Sequence, residues 1–146
     1  MRDVNAFKFE PNPADCNCLA IRQAARQVTQ LYDGYLAAAG LRSTQYSILS
    51  RLARLGPLPI NKLAEAMVMD RTTMGRAVRP LERDKLVAVS SGKEDGRVRT
   101  IRLTPAGEKR LVLARKQWQR AQDAFEKSYG ANAAAELRSA LTRVVV

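Results

Sequence analysis

The stretch INKLAEAMVMDRTTMGRAVRPLERDK, from Ile60 to Lys85, decides how the chain is read. Apolar residues recur in it at helical spacing twice, first as Ile60, Leu63, Ala64 and Met67, then as Met74, Ala77, Val78 and Leu81. That predicts two short helices joined by a tight turn, each burying one stripe. Asp70 lies where it can cap the second helix. At about 100° per residue, Thr72, Arg76, Arg79 and Arg83 fall opposite the second stripe and would face outward. Arginine can take guanine O6 and N7 bidentately, and threonine can bond a base edge or touch a thymine methyl. The second helix thus carries what a major-groove recognition helix needs. Alone, the same pattern also describes an ordinary solvated helix face.

The residues that follow separate these readings. From Val87 the apolar period changes from 3.6 to 2: Val87 and Val89, then Val98, Thr100 or Ile101, and Leu103 predict two strands around SGKEDGR, with Asp95-Gly96 as the turn signal. Arg97, Arg99 and Arg102 crowd this hairpin. A positively charged hairpin directly after a recognition helix can reach phosphates or enter a narrow minor groove.

Towards the N-terminus, Leu58 to Ile60 can supply only a brief strand. Before it, Tyr46, Leu49, Leu52, Ala53 and Leu55 predict a helix capped by Ser43 or Thr44 and ended by Gly56-Pro57. A long first helix is expected from about Cys16 to Ala38, with Ile21, Ala24, Ala25, Val28, Leu31, Tyr32 and Tyr35 on one face. Arg22, Arg26, Gln30 and Asp33 lie on the other, and Gly40 is the stop. Met1 to Asp15 shows no helical period and reads as an arm. Towards the C-terminus, Thr104-Pro105 opens a helix with threonine at the cap and proline in the first turn. Leu111, Ala114, Trp118, Ala121 and Phe125 form its stripe. Gly130 breaks it before a last helix with Ala134, Leu137, Ala140, Leu141 and Val144. Pro80 lacks an amide hydrogen, so a bend or loosened turn is expected in the recognition helix.

Composition narrows the function. The 146 residues suffice for one unit with a real core, and nothing marks a linker or repeat. A net charge of +11 favours a polyanionic partner, nucleic acid before a membrane surface. No apolar run approaches about 18 residues and no charged-then-apolar leader follows Met1, so a cytoplasmic protein without a membrane span is expected. The chain has no histidine. That removes the commonest general base and imidazole ligand, so Ser-His-Asp, Cys-His and histidine-metal chemistry are excluded. Two cysteines cannot complete a structural zinc site, and neither metal nor cofactor is expected.

The order helix, helix, helix-turn-helix, hairpin, helix, helix resembles the MarR family of bacterial winged helix-turn-helix regulators over roughly residues 15 to 145. The most specific pieces are LAEAMVMDRTTMGRAVRPLERDKLV, Leu63 to Val87, and DGRVRTIRLTPAG, Asp95 to Gly107. The second matches the family's Asp-x-Arg wing followed by Leu-Thr-x-x-Gly. The resemblance implies a mainly α fold with a small β-hairpin wing, in an intertwined homodimer held by its N- and C-terminal helices. It also implies a regulator, usually a repressor, that binds a pseudo-palindromic double-stranded operator and is released by a small ligand or by oxidation. On the matching positions, Thr72, Thr73 and Arg76 would face the major groove, with Arg71 and Arg79 beside them. Arg97 would enter the minor groove next to Arg99, and Asp95 would hold Arg97 by a salt bridge. Two departures stand out: Lys85 replaces a frequent glycine, and Gly75 sits in mid-helix.

The expected organisation is one unit over residues 1–146, with dimerisation helices at about 16–39 and 105–146 around a DNA-binding lobe at about 43–104. A dimer follows independently from the residues. Long terminal helices on so small a chain bury few of their stripes against a compact lobe, so a second copy is the simplest cover; the alternative is that the two terminal helices pack only on each other within one chain.

Two effector routes stay open. Cys16 and Cys18 stand at the start of the first helix, where a helix N-terminus favours thiolate, and small buried hydrophobes are the alternative reading. A small aromatic or phenolic ligand could instead be lined by Tyr32, Tyr46 and Trp118 with Arg22 or Arg26, although for any one of them a plain core position is the better explanation, since aromatics at helical spacing usually pack. A winged-helix module that binds protein or RNA is the competing function class. No nucleophile-base pair or metal set supports an enzyme.

Overall fold

The computed structural model describes residues 11–144. The expected arm therefore lies largely outside the described residues, which open with a 3-10 turn at Pro13–Asp15 capped by Asn12. Helix α1 spans Asn17–Leu36 and continues as a 3-10 turn, Ala37–Ala39. It ends where the sequence predicts: Gly40 takes φ 69°, and the Leu41 amide returns to the Leu36 carbonyl at 3.2 Å. That left-handed stop satisfies carbonyls the helix leaves open.

Helix α2, Ser43–Leu55, is capped differently from the expectation. Ser43 is already its first helical residue, so neither it nor Thr44 is the cap. The Arg42 amide donates to Gln45 Oε1 at 2.9 Å, and the Ser43 amide donates to Asp33 Oδ1 at 2.7 Å. Asp33, expected on a solvent face, is half-buried and fixes the entry of α2 against α1. The stripe of α2 also shifts: Ile48 is fully buried, whereas Ala53 and Leu55 are exposed.

Strand β1 is the two residues Leu58–Pro59, followed by α3, Ile60–Ala66, and α4, Arg71–Arg83. Helix α4 runs unbroken through Pro80, so the loosened turn expected there does not interrupt it. The missing proline amide falls opposite the Arg76 carbonyl, one turn back on an exposed face. Strands β2, Val87–Ser91, and β3, Arg99–Leu103, form the hairpin; β1 adds to β3, giving an antiparallel sheet of order β1-β3-β2. The register Val87↔Leu103 and Val89↔Ile101 turns these four side chains to the core. Ile101 rather than Thr100 is the buried alternative, and Val98 falls outside the strand.

Helices α5, Pro105–Tyr129, and α6, Ala131–Thr142, complete the chain. The main core lies under α2, α3, α4 and the sheet. It contains Ile48, Leu49, Leu52, Leu63, Met74, Leu81 and Ile101 and reaches Leu36, Leu111 and Ala114 of the long helices. Each such large side chain stabilises the fold by about 1.5–3 kcal/mol through burial. The long helices bury far less: in α1 only Leu36 is fully covered. Between α1, α5 and α6 an apolar groove of about 490 Å³ stays open, lined by Ile21, Ala25, Val28, Phe125, Leu137 and Leu141 among others.

Candidate nucleic-acid interface

Helix α4 is held by one face and free on the other. Met74, Val78 and Leu81 are buried, while Arg71, Thr72, Thr73, Arg76, Arg79 and Arg83 are exposed. Asp70 caps it as predicted: Oδ1 accepts from the Thr73 amide and Oδ2 from the Thr73 hydroxyl, both at 2.8 Å. These bonds hold the Asp70 carboxyl below the usual carboxylate range. They also occupy the Thr73 hydroxyl hydrogen, leaving Thr73 an acceptor lone pair and a methyl to offer, whereas Thr72 is free. The preceding turn is tight: Val68 takes φ 53°, and the Met69 amide reaches the Ala64 carbonyl at 2.9 Å.

The hairpin tip projects Arg97 and Arg99, both exposed, with Arg102 on the other face of β3. Asp95 does not meet the Arg97 guanidinium, contrary to the ion pair that the resemblance implies. Its Oδ1 accepts instead from the Arg97 backbone amide at 3.0 Å, and the Val98 amide closes the turn on the Asp95 carbonyl at 3.1 Å. A carboxylate two residues before an amide makes this local bond readily, so Asp95 shapes the turn and leaves the guanidinium free.

Among the described residues the ion pairs are Lys62–Glu65, Arg83–Asp84 and Glu126–Arg138. Arg71, Arg76, Arg79, Arg97, Arg99 and Arg102 thus have no carboxylate partner among the described residues. A basic face that is not neutralised from within is disposed to take an anion.

The effector candidates divide. Tyr46 and Trp118 stack with ring centroids 6.0 Å apart, and with Tyr32 they line a cavity of about 200 Å³ between α1, α2 and α5. The Tyr32 hydroxyl donates to Gln122 Oε1. Burial raises the Tyr32 pKa, with the Glu126 carboxylate adding to it and Arg138 opposing; burial also raises that of Tyr46, against the nearby Arg115. Both remain neutral phenols able to donate. Arg22 and Arg26 are not at this cavity. They lie on the exposed face of α1, and Arg26 borders a separate depression with Gln23 and Gln27. Besides Arg115, the cations near the aromatic pair are Arg51 and Arg54, which line an open cleft of about 580 Å³ with Tyr46, Trp118, Met67 and Val68. Their spacing from Tyr46 along α2 was the available signal, because positions 46, 47, 50, 51 and 54 share one helical face.

Cys16 is itself the cap of α1, its Sγ accepting from the Leu19 amide at 3.4 Å, and Cys18 follows in the first turn. Both thiols are free and exposed, not core residues of this chain.

Comparison with known proteins places this architecture. Residues 41–98 match the model of the MarR family, covering α2 to the hairpin tip. The chain is 28% identical over 106 residues to an uncharacterized HTH-type transcriptional regulator, YxaD of Bacillus subtilis, spanning 73% of each chain. Among solved structures it resembles the transcriptional regulator MosR of M. tuberculosis, solved with DNA, at 32% identity and a TM-score of 0.73 over 90% of this chain and all of that one. A probable transcriptional regulator from Pseudomonas aeruginosa aligns with a TM-score of 0.81 at 27% identity, over 92% of this chain and all of that one. With the helix-turn-helix, the three-stranded wing and the long flanking helices all in the expected order, the chain belongs to the MarR family of transcriptional regulators.

Proposed function

We infer that the protein is a sequence-specific regulator that binds a pseudo-palindromic duplex as a homodimer, most simply as a repressor. The observation that carries this reading is the unneutralised row of Arg71, Arg76, Arg79, Arg97 and Arg99 across α4 and the hairpin tip. The relative MosR, solved with DNA, supports it. Arg76 and Thr72 read base edges, Arg97 follows the minor groove, and the remaining arginines meet phosphates. The unit spans residues 1–146, with a DNA-binding lobe at about 43–104 and α1, α5 and α6 as dimerisation helices. The open apolar groove between those helices is the surface a second copy covers. A winged helix with this charge could also take RNA or an acidic protein, but the outward threonine-arginine face favours a duplex major groove.

Release runs through one of two sites. Exposed Cys16 and Cys18 suit oxidation, and the Tyr32–Tyr46–Trp118 cavity suits a small aromatic or phenolic ligand. Either acts by favouring a dimer shape with lower DNA affinity. The protein works in the cytoplasm, where its DNA is.

The test is a binding assay on duplexes selected by the parent protein from a random pool. Arg76→Ala relaxes base preference and costs about 1–3 kcal/mol per direct contact, whereas Arg97→Ala weakens binding with less change in major-groove preference. If Arg76→Ala leaves affinity and site preference intact, α4 is not the reading helix. Mild peroxide distinguishes the release routes. Loss of binding by the parent but not by Cys16→Ser/Cys18→Ser assigns oxidation; unchanged binding with the thiols shown to have reacted removes oxidation and leaves a small-molecule effector as the leading route.

A further inference from the structure

One hydroxyl joins the end of α4 to the beginning of α5. Thr104 Oγ1 donates to the Lys85 carbonyl at 2.7 Å and accepts from the Gly107 amide at 3.0 Å. The Thr104 amide adds a third bond, to the Leu86 carbonyl at 3.1 Å. Gly107 packs flush against the same corner: a Cβ there would lie 2.1 Å from the Leu86 carbonyl oxygen. The corner is closed on its other side too. The Lys85 amide bonds the Glu82 carbonyl at 3.0 Å and the Leu86 amide bonds the Leu81 carbonyl at 2.9 Å, with Lys85 at φ 60°. Leu81 and Leu86 are both buried beneath it. No slack backbone therefore separates the last turn of α4 from the first turn of α5, although the whole hairpin intervenes in sequence.

We propose that Thr104, seated on Gly107, is the positioning residue that locks the recognition helix to α5, so that α5 and α4 turn as one body. The proposal rests on the reading of α4 as the DNA-contacting helix. Thr104 meets no DNA in it and acts through the carbonyl of Lys85. Its physical consequence is that any change in the angle between the long helices of a dimer passes undamped to the separation of the two α4 helices. Duplex half-sites repeat at about 34–36 Å, so a rigid joint tolerates little error in that separation.

The hydroxyl has two duties that substitution can separate. As acceptor it caps α5; as donor it bridges to α4. Thr104→Ser keeps both, Thr104→Val loses both, and Thr104→Asp keeps the cap while having no hydrogen to give Lys85. Full-length variants lacking Cys16 and Cys18 would carry spin labels at Glu82 on α4 and Val112 on α5, both exposed, diluted with unlabelled protein so that the distance is measured within one chain. The same Thr104 variants, unlabelled, would be titrated with the duplex selected by the parent and with that duplex lengthened by one or two base pairs between its half-sites.

The parent and Thr104→Ser should give one narrow distance distribution and a steep loss of affinity on lengthening. Thr104→Asp and Thr104→Val should broaden the distribution, lose about three- to tenfold on the selected duplex and respond less to lengthening. If Thr104→Val fails to fold, Thr104→Asp carries the test, because its helix cap is intact. A distribution for Thr104→Asp as narrow as the parent's overturns the proposal and leaves Thr104 a cap. Broadening in Thr104→Asp without DNA binding by any form supports the joint and instead removes the DNA reading on which its role rests.

Discussion

Lys85 and Val68 show how a residue can be legible in identity and illegible in conformation. Both adopt the left-handed backbone, at φ 60° and 53°, where α4 and α3 end in returning hydrogen bonds of the kind that Gly40 makes at the end of α1. Gly40 announces such a stop because glycine takes positive φ without cost. Lysine and valine announce nothing, since neighbouring hydrogen bonds and the burial of Leu86 and Met69 impose the conformation on them. Such a residue stores roughly 1–2 kcal/mol, partly offset by the greater freedom glycine would have in the unfolded chain. Lys85→Gly should therefore stabilise the protein by about 0.5–1 kcal/mol in denaturant unfolding. An unchanged or lower midpoint would show that the lysine is not strained. Arg51 and Arg54 share a helical face with Tyr46, which the spacing of α2 shows in the sequence, but only the packing of α2, α5 and the α3–α4 turn brings Trp118, Met67 and Val68 to the same cleft.

At the scale of elements, periodicity located all six helices and both hairpin strands, because each carries an apolar stripe, whether the core of this chain covers it, as in α2 to α4, or leaves much of it open, as in α1 and α6. It failed where the determinant is a partner distant in sequence. The cap of α2 depends on Asp33 from α1, and the β1 pairing depends on β3. Local chemistry was more reliable: Asp70 and Thr104 cap α4 and α5 as their identities predict. The Asp70 cap has a pH signature. The Thr73 amide and hydroxyl lower its pKa in the folded state, so its stabilisation is present above the ordinary carboxylate pKa and is lost as pH falls through the lowered value. Asp70→Ala should be less stable than the parent at neutral pH, and the difference should close on acidification. A difference that stays constant into acid would mean that the carboxylate form is not what caps α4. The hairpin was read correctly as a hairpin, but the role of Asp95 was not, because an Asx-type turn and an ion pair draw on the same Asp-x-Arg spacing.

At the scale of the whole molecule, the terminal helices carry apolar surface that this chain does not cover: Ile21 is 42% exposed and Leu141 41%, both beside the open groove. Removing residues 132–146 takes away most of α6, including Leu137 and Leu141, and uncovers Phe125 of α5 on the other wall of the groove. It should yield monomer or aggregate in sedimentation and abolish cooperative binding to two half-sites; a truncated chain that stayed dimeric would place the interface elsewhere. The long-helix surface, with a second copy as its simplest cover, was foreseeable from the mismatch between stripe length and lobe size. What the molecule does depends on the basic face of α4 and the hairpin, and the measurement that bears on it most directly is the affinity for the selected duplex as a function of salt. Two subunits, each presenting Arg71, Arg79, Arg97 and Arg99 without carboxylate partners, should neutralise several phosphates, with log affinity falling linearly in log salt at about −0.9 per phosphate. Between roughly 50 and 200 mM salt the predicted loss is on the order of 10³-fold or more. An affinity that stayed flat over that range would contradict DNA binding through this face.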